Sequence, residues 1–165
     1  MKIHCRYDKL VPIAELVPNP KNRNKHPDDQ IERLAKLLGA HGQRAPIIVS
    51  ERSGYIVKGH GTVLAINRLQ HPVGAVVFQA FESEEEEYQF LQADNAIAGW
   101  AELDLAGINL DIGELGPFDI ELLGIKNFTV ETPAFEPGTE GDQGRLDEKK
   151  PIQCPNCGEQ FVPKG

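Results

Sequence analysis

Five residues, Lys58-Gly59-His60-Gly61-Thr62, stand between a β-branched run, Gly54-Tyr55-Ile56-Val57, and a segment with Leu64, Ala65 and Leu69 at helical spacing. A strand that passes through Gly-x-Gly directly into a helix leaves several backbone N–H groups without partners at the positive end of the helix dipole, and together these favour an anion. The glycines let a ligand approach the backbone closely. Thr62 adds a hydroxyl donor, Lys58 a charge, and His60 either a donor or a proton-transfer group near neutral pH. On spacing alone, the signal is weak, and a plain strand-to-helix connection with His60 at the surface is the favoured alternative. A second chemical feature is Cys154-Pro155-Asn156-Cys157-Gly158, with the spacing of half a zinc ribbon. Four ligands would complete a structural zinc site, and the chain offers only Cys5, with His4 beside it, as a further thiol. Symmetric pairing of Cys154 and Cys157 with those of a second copy would give a Cys-four site and a homodimer. Two free cysteines in a tail are the alternative. An odd count of three cysteines argues against a disulfide framework.

The elements that must position the glycine turn are legible around it. Lys2 to Tyr7 reads as an edge strand, followed by a helical turn at Ile13-Ala14-Glu15-Leu16 and a polar loop from Val17 to His26. A helix starts near Pro27, with Asp28 and Asp29 at the positive end of its dipole. Its stripe Ile31, Leu34, Ala35, Leu38 faces a core, and Gly42 stops it. Pro46–Ser50 and Gly54–Val57, joined by Glu51-Arg52-Ser53, form a hairpin. Val73 to Phe81 gives a further strand, and Ser83 caps a helix with Glu86 at capping-box spacing, from which Tyr88, Leu91 and Ile97 can face a core. An amphipathic stretch through Leu105, Ile108, Ile112 and Leu115 continues to Leu122-Leu123-Gly124. This order describes a compact α+β (α/β mixed) domain over 1–125. Residues 126–150 read as a flexible linker, rich in Pro, Gly, Thr, Glu and Asp, and 151–165 as the tail with the cysteine pair.

At 165 residues the chain accommodates one such domain and a tail. It contains no run of 18 or more apolar residues and no charged-then-apolar leader, so a cytoplasmic protein with no membrane span is expected. The net charge of −8 disfavours nucleic acid on average. The average conceals a split. Residues 1–68 hold twelve Lys/Arg against six Asp/Glu, whereas residues 69–125 hold twelve Asp/Glu and no Lys or Arg. An anionic ligand is drawn to the first half.

Three segments, Val11-Pro12-Ile13-Ala14-Glu15-Leu16-Val17-Pro18-Asn19-Pro20, Ala40-His41-Gly42-Gln43-Arg44-Ala45-Pro46-Ile47-Ile48-Val49 and Gly54-Tyr55-Ile56-Val57-Lys58-Gly59-His60, together resemble the ParB/sulfiredoxin superfamily. The likeness runs over roughly residues 8–125 and points to the phage and prophage branch of ParB-like nuclease domains. Leu91-Gln92-Ala93-Asp94-Asn95-Ala96-Ile97-Ala98 is similar to the "ADN" segment of that branch. The resemblance implies a small mixed sheet flanked by helices, with the strand-to-helix turn holding nucleotide phosphates. By that likeness Gly59, His60, Gly61 and Thr62 would line a diphosphate or triphosphate of CTP, ATP or ADP, accompanied by Mg, with the charge of Lys58 beside them. Asn22, Arg23 and Asn24 would approach the same site, and Arg23 suits phosphate because a guanidinium binds it through two parallel hydrogen bonds.

Non-specific association with DNA, and work beside a DNA methyltransferase or other phage protein, follow from the same likeness. A nuclease or DNA-modification accessory enzyme is a second expectation, through NTP hydrolysis, phosphoryl transfer or metal-dependent cleavage. Its candidate residues are His60 and Asp94, with Glu15 and Asp28 as further carboxylates. A non-catalytic dimeric adaptor is a third. The family turn usually carries an arginine after its Gly-His or Gly-Glu pair, where this chain has Gly61-Thr62, which leaves Lys58, Arg23 and Arg68 to supply positive charge. The turn also lacks the cysteine of sulfiredoxin chemistry.

Overall fold

The structure is a computed structural model, and it describes residues 1–130, 152–153 and 157–161. Two units are present, Met1–Thr129 and Val130–Gly165. The first contains a five-stranded mixed sheet in the order β1-β5-β3-β4-β2, formed by β1 (Lys9–Pro12), β2 (Val17–Pro18), β3 (Ile47–Ser50), β4 (Tyr55–Lys58) and β5 (Val73–Gln79). Its helices are α1 (Asp28–His41), α2 (His60–Arg68), α3 (Glu84–Ala98) and α4 (Leu105–Leu115), with 3₁₀ turns at Ile13–Glu15 and Ile120–Leu123. The second unit shows a small antiparallel pair, β6 (Ile152–Gln153) and β7 (Gln160–Phe161). The mixed α+β architecture expected from the order of elements is the one observed.

Central strands carry the apolar load. β3 lies between β5, to which it is parallel, and β4, to which it is antiparallel. Ile47, Val49, Ile56, Ala75 and Val76 are buried, as strands covered on both faces require. Ile31, Ala35 and Leu38 of α1 pack onto this core, and α1 lies along α2. The helix ends at Gly42, whose φ of 72° places it where side chains are strained, and whose amide closes on the Leu38 carbonyl at 2.9 Å. A Cβ at Gly42 would stand 2.5 Å from the Lys2 carbonyl oxygen, so no other residue fits.

The N-terminal edge strand differs from the sequence expectation. Lys2 to Tyr7 forms only an isolated parallel bridge, Ile3 to Gln43, and the strand is Lys9–Pro12, antiparallel to β5. The partner of Ile3 runs three residues later into Pro46, which has no N–H to extend a ladder. Two further expectations are corrected. Leu91 is fully buried, but Tyr88 and Ile97 are exposed, because α3 meets the sheet along one narrow stripe. The stretch through Leu105 does not continue to Gly124: α4 ends at Gly116, with φ of 84°, and a separate 3₁₀ turn follows. None of the α4 residues is buried.

Gln43 completes the sheet with its side chain. Fully buried, it donates to the carbonyls of Ala45 and Ala75 at 3.0 Å each and accepts from the Ala75 amide at 2.8 Å, acting as a substitute strand neighbour for β5. Replacing it with leucine leaves both polar groups of Ala75 buried without partners, and each such group costs about 1–3 kcal/mol. Gln43→Leu is therefore expected to lower unfolding free energy in urea by about 2–4 kcal/mol; a loss within experimental error would show that β5 does not rely on this side chain.

Candidate functional site

β4 ends at Lys58, and Gly59 adopts the left-handed conformation at φ 95° that turns the chain into α2. Ile47 sits 3.3 Å from where a Cβ would be at Gly59, so both conformation and space select glycine. The first hydrogen bond of α2 runs from the Val63 amide to the Gly59 carbonyl at 3.0 Å, and no side chain caps this end. The amides of His60, Gly61 and Thr62 thus have no intrahelical acceptor, and they converge where the dipole is positive. The strand-to-helix turn expected from Gly-x-Gly is present, and in the fold it stands at the carboxyl end of an inner strand of the sheet.

His60 is half-buried, and its Nε2 accepts the Asn19 amide hydrogen at 3.2 Å. A ring that accepts at Nε2 carries its proton on Nδ1, so His60 is neutral and retains one donor. Burial pushes its pKa below the ordinary value, and the neighbouring His26 acts in the same direction. His60 therefore also anchors the loop that precedes α1, a role the sequence did not disclose.

That loop carries Asn22, Arg23 and Asn24, and α3 clasps it along its length. Asn24 Nδ2 donates to Asn95 Oδ1 at 3.0 Å, Gln92 Nε2 donates to the Lys21 carbonyl at 3.0 Å, and Lys21 pairs with Glu84. Asp94 does not stand free as a general base or metal ligand. Its carboxylate pairs with Lys58 at 2.5 Å, tying α3 to the last residue of β4. Arg23 is exposed on the loop, while Arg68 lies at the far end of α2, 3.8 Å from Asp28. The structure brings Lys58, Asp94 and Asn95 together and ties Asn24 to them. Arg68 lies away from the cradle.

Beneath the loop is a group that sequence reasoning missed. Glu87 is buried at 3% exposure, and its carboxylate accepts from Ser50 Oγ at 2.7 Å, Ser53 Oγ at 2.8 Å and Arg52 Nε at 3.2 Å, with Asn19 Nδ2 more distant at 3.4 Å. Its place in the run Glu84–Glu87 gives no local sign of burial. Its spacing to Leu91 and Asn95, at i+4 and i+8, was the available signal, since it puts Glu87 on the inward stripe of α3.

A cavity of about 600 Å³ lies elsewhere, against α1, lined by Lys25, Arg33, Leu34, Leu37 and Lys126 among others and by none of residues 58–62. Of the expected zinc ligands, Cys154 lies outside the described residues, and Cys157 is exposed. Among the described residues no three His, Cys, Asp or Glu side chains converge as a metal site, and no helix is long and apolar enough to cross a membrane.

No family model matches the chain. It is 32% identical over 59 residues to the ParB-like nuclease domain-containing protein YnaK of Escherichia coli K12, a match covering 36% of this chain and 67% of that protein. The chain belongs to the ParB-like family. In its fold it is similar to the C-terminally truncated chromosome-partitioning protein ParB from Caulobacter crescentus, solved in complex with CTP-gamma-S, at a TM-score of 0.53 and 20% identity. That superposition covers 62% of this chain and 59% of the other, so the chain spans well under two thirds of that structure. The mixed sheet with its helices is accordingly a ParB-like fold.

The His60 geometry has a titration consequence. With a folded-state pKa lowered from 6.5, His60 resists protonation while the unfolded chain does not, so its contribution to stability is lost as pH falls through 6.5 and below. Heteronuclear NMR is expected to show a neutral ring protonated at Nδ1 and titrating below 6.5, with the Asn19 amide resonance moving over the same interval. A ring titrating at or above the ordinary value would contradict the bond to Asn19.

Proposed function

We propose that this ParB-like chain is a nucleotide-binding, DNA-associated module of a phage or mobile element, with the phosphates of CTP, ATP or ADP held at the 58–62 turn. The observation that carries the reading is the uncapped start of α2, with three amides free of intrahelical acceptors beside Lys58 and facing a polar loop fixed by His60. Phosphate oxygens accept from such amides and gain from the helix dipole. Thr62 adds a hydroxyl, and His60 offers its Nδ1 proton while Nε2 holds the loop in place. Arg23, exposed on that loop, supplies a fork that can close on a phosphate from the other side. The CTP-gamma-S bound to the structural neighbour supports this class of ligand. A magnesium ion would arrive with the nucleotide phosphates, and Asp94 is the carboxylate tied to the turn through Lys58.

The family arginine missing after the Gly-His pair has a local reason. A Cβ at Gly61 would lie 3.2 Å from the ring of His26, so any side chain there crowds that histidine and requires it to shift by a few tenths of an ångström. The turn therefore relies on backbone amides and Lys58 where relatives use a guanidinium. Association with DNA fits the twelve Lys/Arg of residues 1–68 and is expected to be non-specific and sensitive to salt, since phosphate contacts release counterions. A nuclease reading, suggested by the name of the bacterial relative, ranks second, since Asp94 is engaged by Lys58.

Titration calorimetry of the full chain against CTP, ATP and ADP, each with magnesium, tests the proposal. At least one nucleotide is expected to bind, with Lys58→Ala and His60→Ala each weakening it by about tenfold, the worth of one charge-assisted hydrogen bond. Gly61→Arg is expected to weaken binding too, because its side chain crowds the ring of His26 beside the turn. Silence from all three nucleotides would remove them from the account.

A further inference from the structure

Among the described residues, the stretch between Ile97 and Phe118 leaves several large apolar side chains exposed. Ile97, Trp100, Leu103, Leu110 and Leu115 are 57%, 77%, 61%, 70% and 77% exposed. An 11-residue helix with glycine at 107 and 113 is marginal in water unless something packs on it, and α4 buries none of its residues. Single apolar residues are ordinary on a protein surface, but this many large apolar side chains left exposed within one short stretch of chain point to an interaction site.

Charge decides what covers it. Glu102, Asp104, Asp111, Glu114 and Asp119 frame the run, and residues 69–125 hold no Lys or Arg. Nucleic acid and anionic lipid are repelled by such a frame, and the same face of a second copy repels it equally. The chain's own basic half is a poor complement, since its large exposed apolar residues, such as Leu10, Val17 and Leu64, are dispersed over β1, β2 and α2. We propose that the face from Trp100 to Leu115 docks a cationic amphipathic segment of a different protein. The apolar side of that segment covers Trp100, Leu110 and Leu115, and its Lys and Arg residues meet the acidic frame. This surface is separate from the 58–62 turn and goes beyond the nucleotide reading.

Trp100 is the single tryptophan of the chain, so its emission reports on the surface directly. The full chain would be titrated with an amphipathic helical peptide built from Leu and Lys, and with its Leu and Glu counterpart, while sedimentation velocity follows the oligomeric state. The Leu/Lys peptide is expected to blue-shift Trp100 saturably, and its affinity to fall by about tenfold as salt rises from 0.05 to 0.5 M, because the charge pairs are exposed to screening. The Leu/Glu peptide is expected to have no effect. Leu110→Glu with Leu115→Glu should abolish the shift and leave the thermal transition unchanged, as neither side chain is buried. No shift with the Leu/Lys peptide would overturn the proposal. So would equal shifts with both peptides, or a blue shift on concentrating the protein alone with formation of a dimer, which would assign the face to a second copy.

Discussion

A carboxylate placed where water is nearly absent is costly unless donors surround it, and Glu87 is in that position. Its two oxygens are met by Ser50, Ser53 and Arg52 from the β3–β4 hairpin, with Asn19 more distant. The same Ser50 hydroxyl oxygen accepts from the amides of Arg52 and Ser53, so the hairpin turn is organised around the group that neutralises α3. One buried charge thus joins the hairpin, the third helix and the start of the polar loop. The register of β4 follows from the hairpin, and the position of Lys58 and Gly59 follows from β4.

From this anchor the candidate site is assembled in a chain of short links. Asn19, beside Glu87, gives its amide hydrogen to His60, and its own side-chain oxygen accepts from the Lys21 amide at 2.9 Å. Asn95 and Gln92 then hold the loop from the α3 side. The loop is consequently held beside the start of α2 by elements distant in sequence. Lys58 enters that arrangement already paired with Asp94, so an incoming phosphate competes with a carboxylate for the same ammonium group. On the proposed reading, binding there would exchange one anion for another, which would limit affinity and favour ligands with more than one negative charge.

Local chemistry made much of the domain legible in the sequence. The Ile31-to-Leu38 stripe, the β-branched hairpin, the glycine turn and the Ser83 cap each announce themselves through periodicity or backbone demands, and each forms as expected. The Ser83 cap is closed by the Glu86 amide at 3.1 Å, but the Glu86 side chain returns to the Glu82 amide, not to that of Ser83. What the sequence concealed depends on distant partners. Lys2–Tyr7 has the alternation of a strand but lacks a ladder to join. Glu87 resembles its solvated neighbours until the hairpin serines are placed beside it. His60 suits a ligand donor by residue type, and only the fold shows that one of its nitrogens is already committed to Asn19.

The central claim is that the uncapped start of α2 and the 22–24 loop form one phosphate site. Amide chemical-shift mapping with CTP and magnesium tests it most directly, because it reads the cradle atoms themselves. The account predicts that the largest perturbations fall on the amides of His60, Gly61 and Thr62, accompanied by Arg23 and Asn24. Shifts confined to the cavity around Arg33 and Lys126, with the α2 amides unmoved, would contradict it.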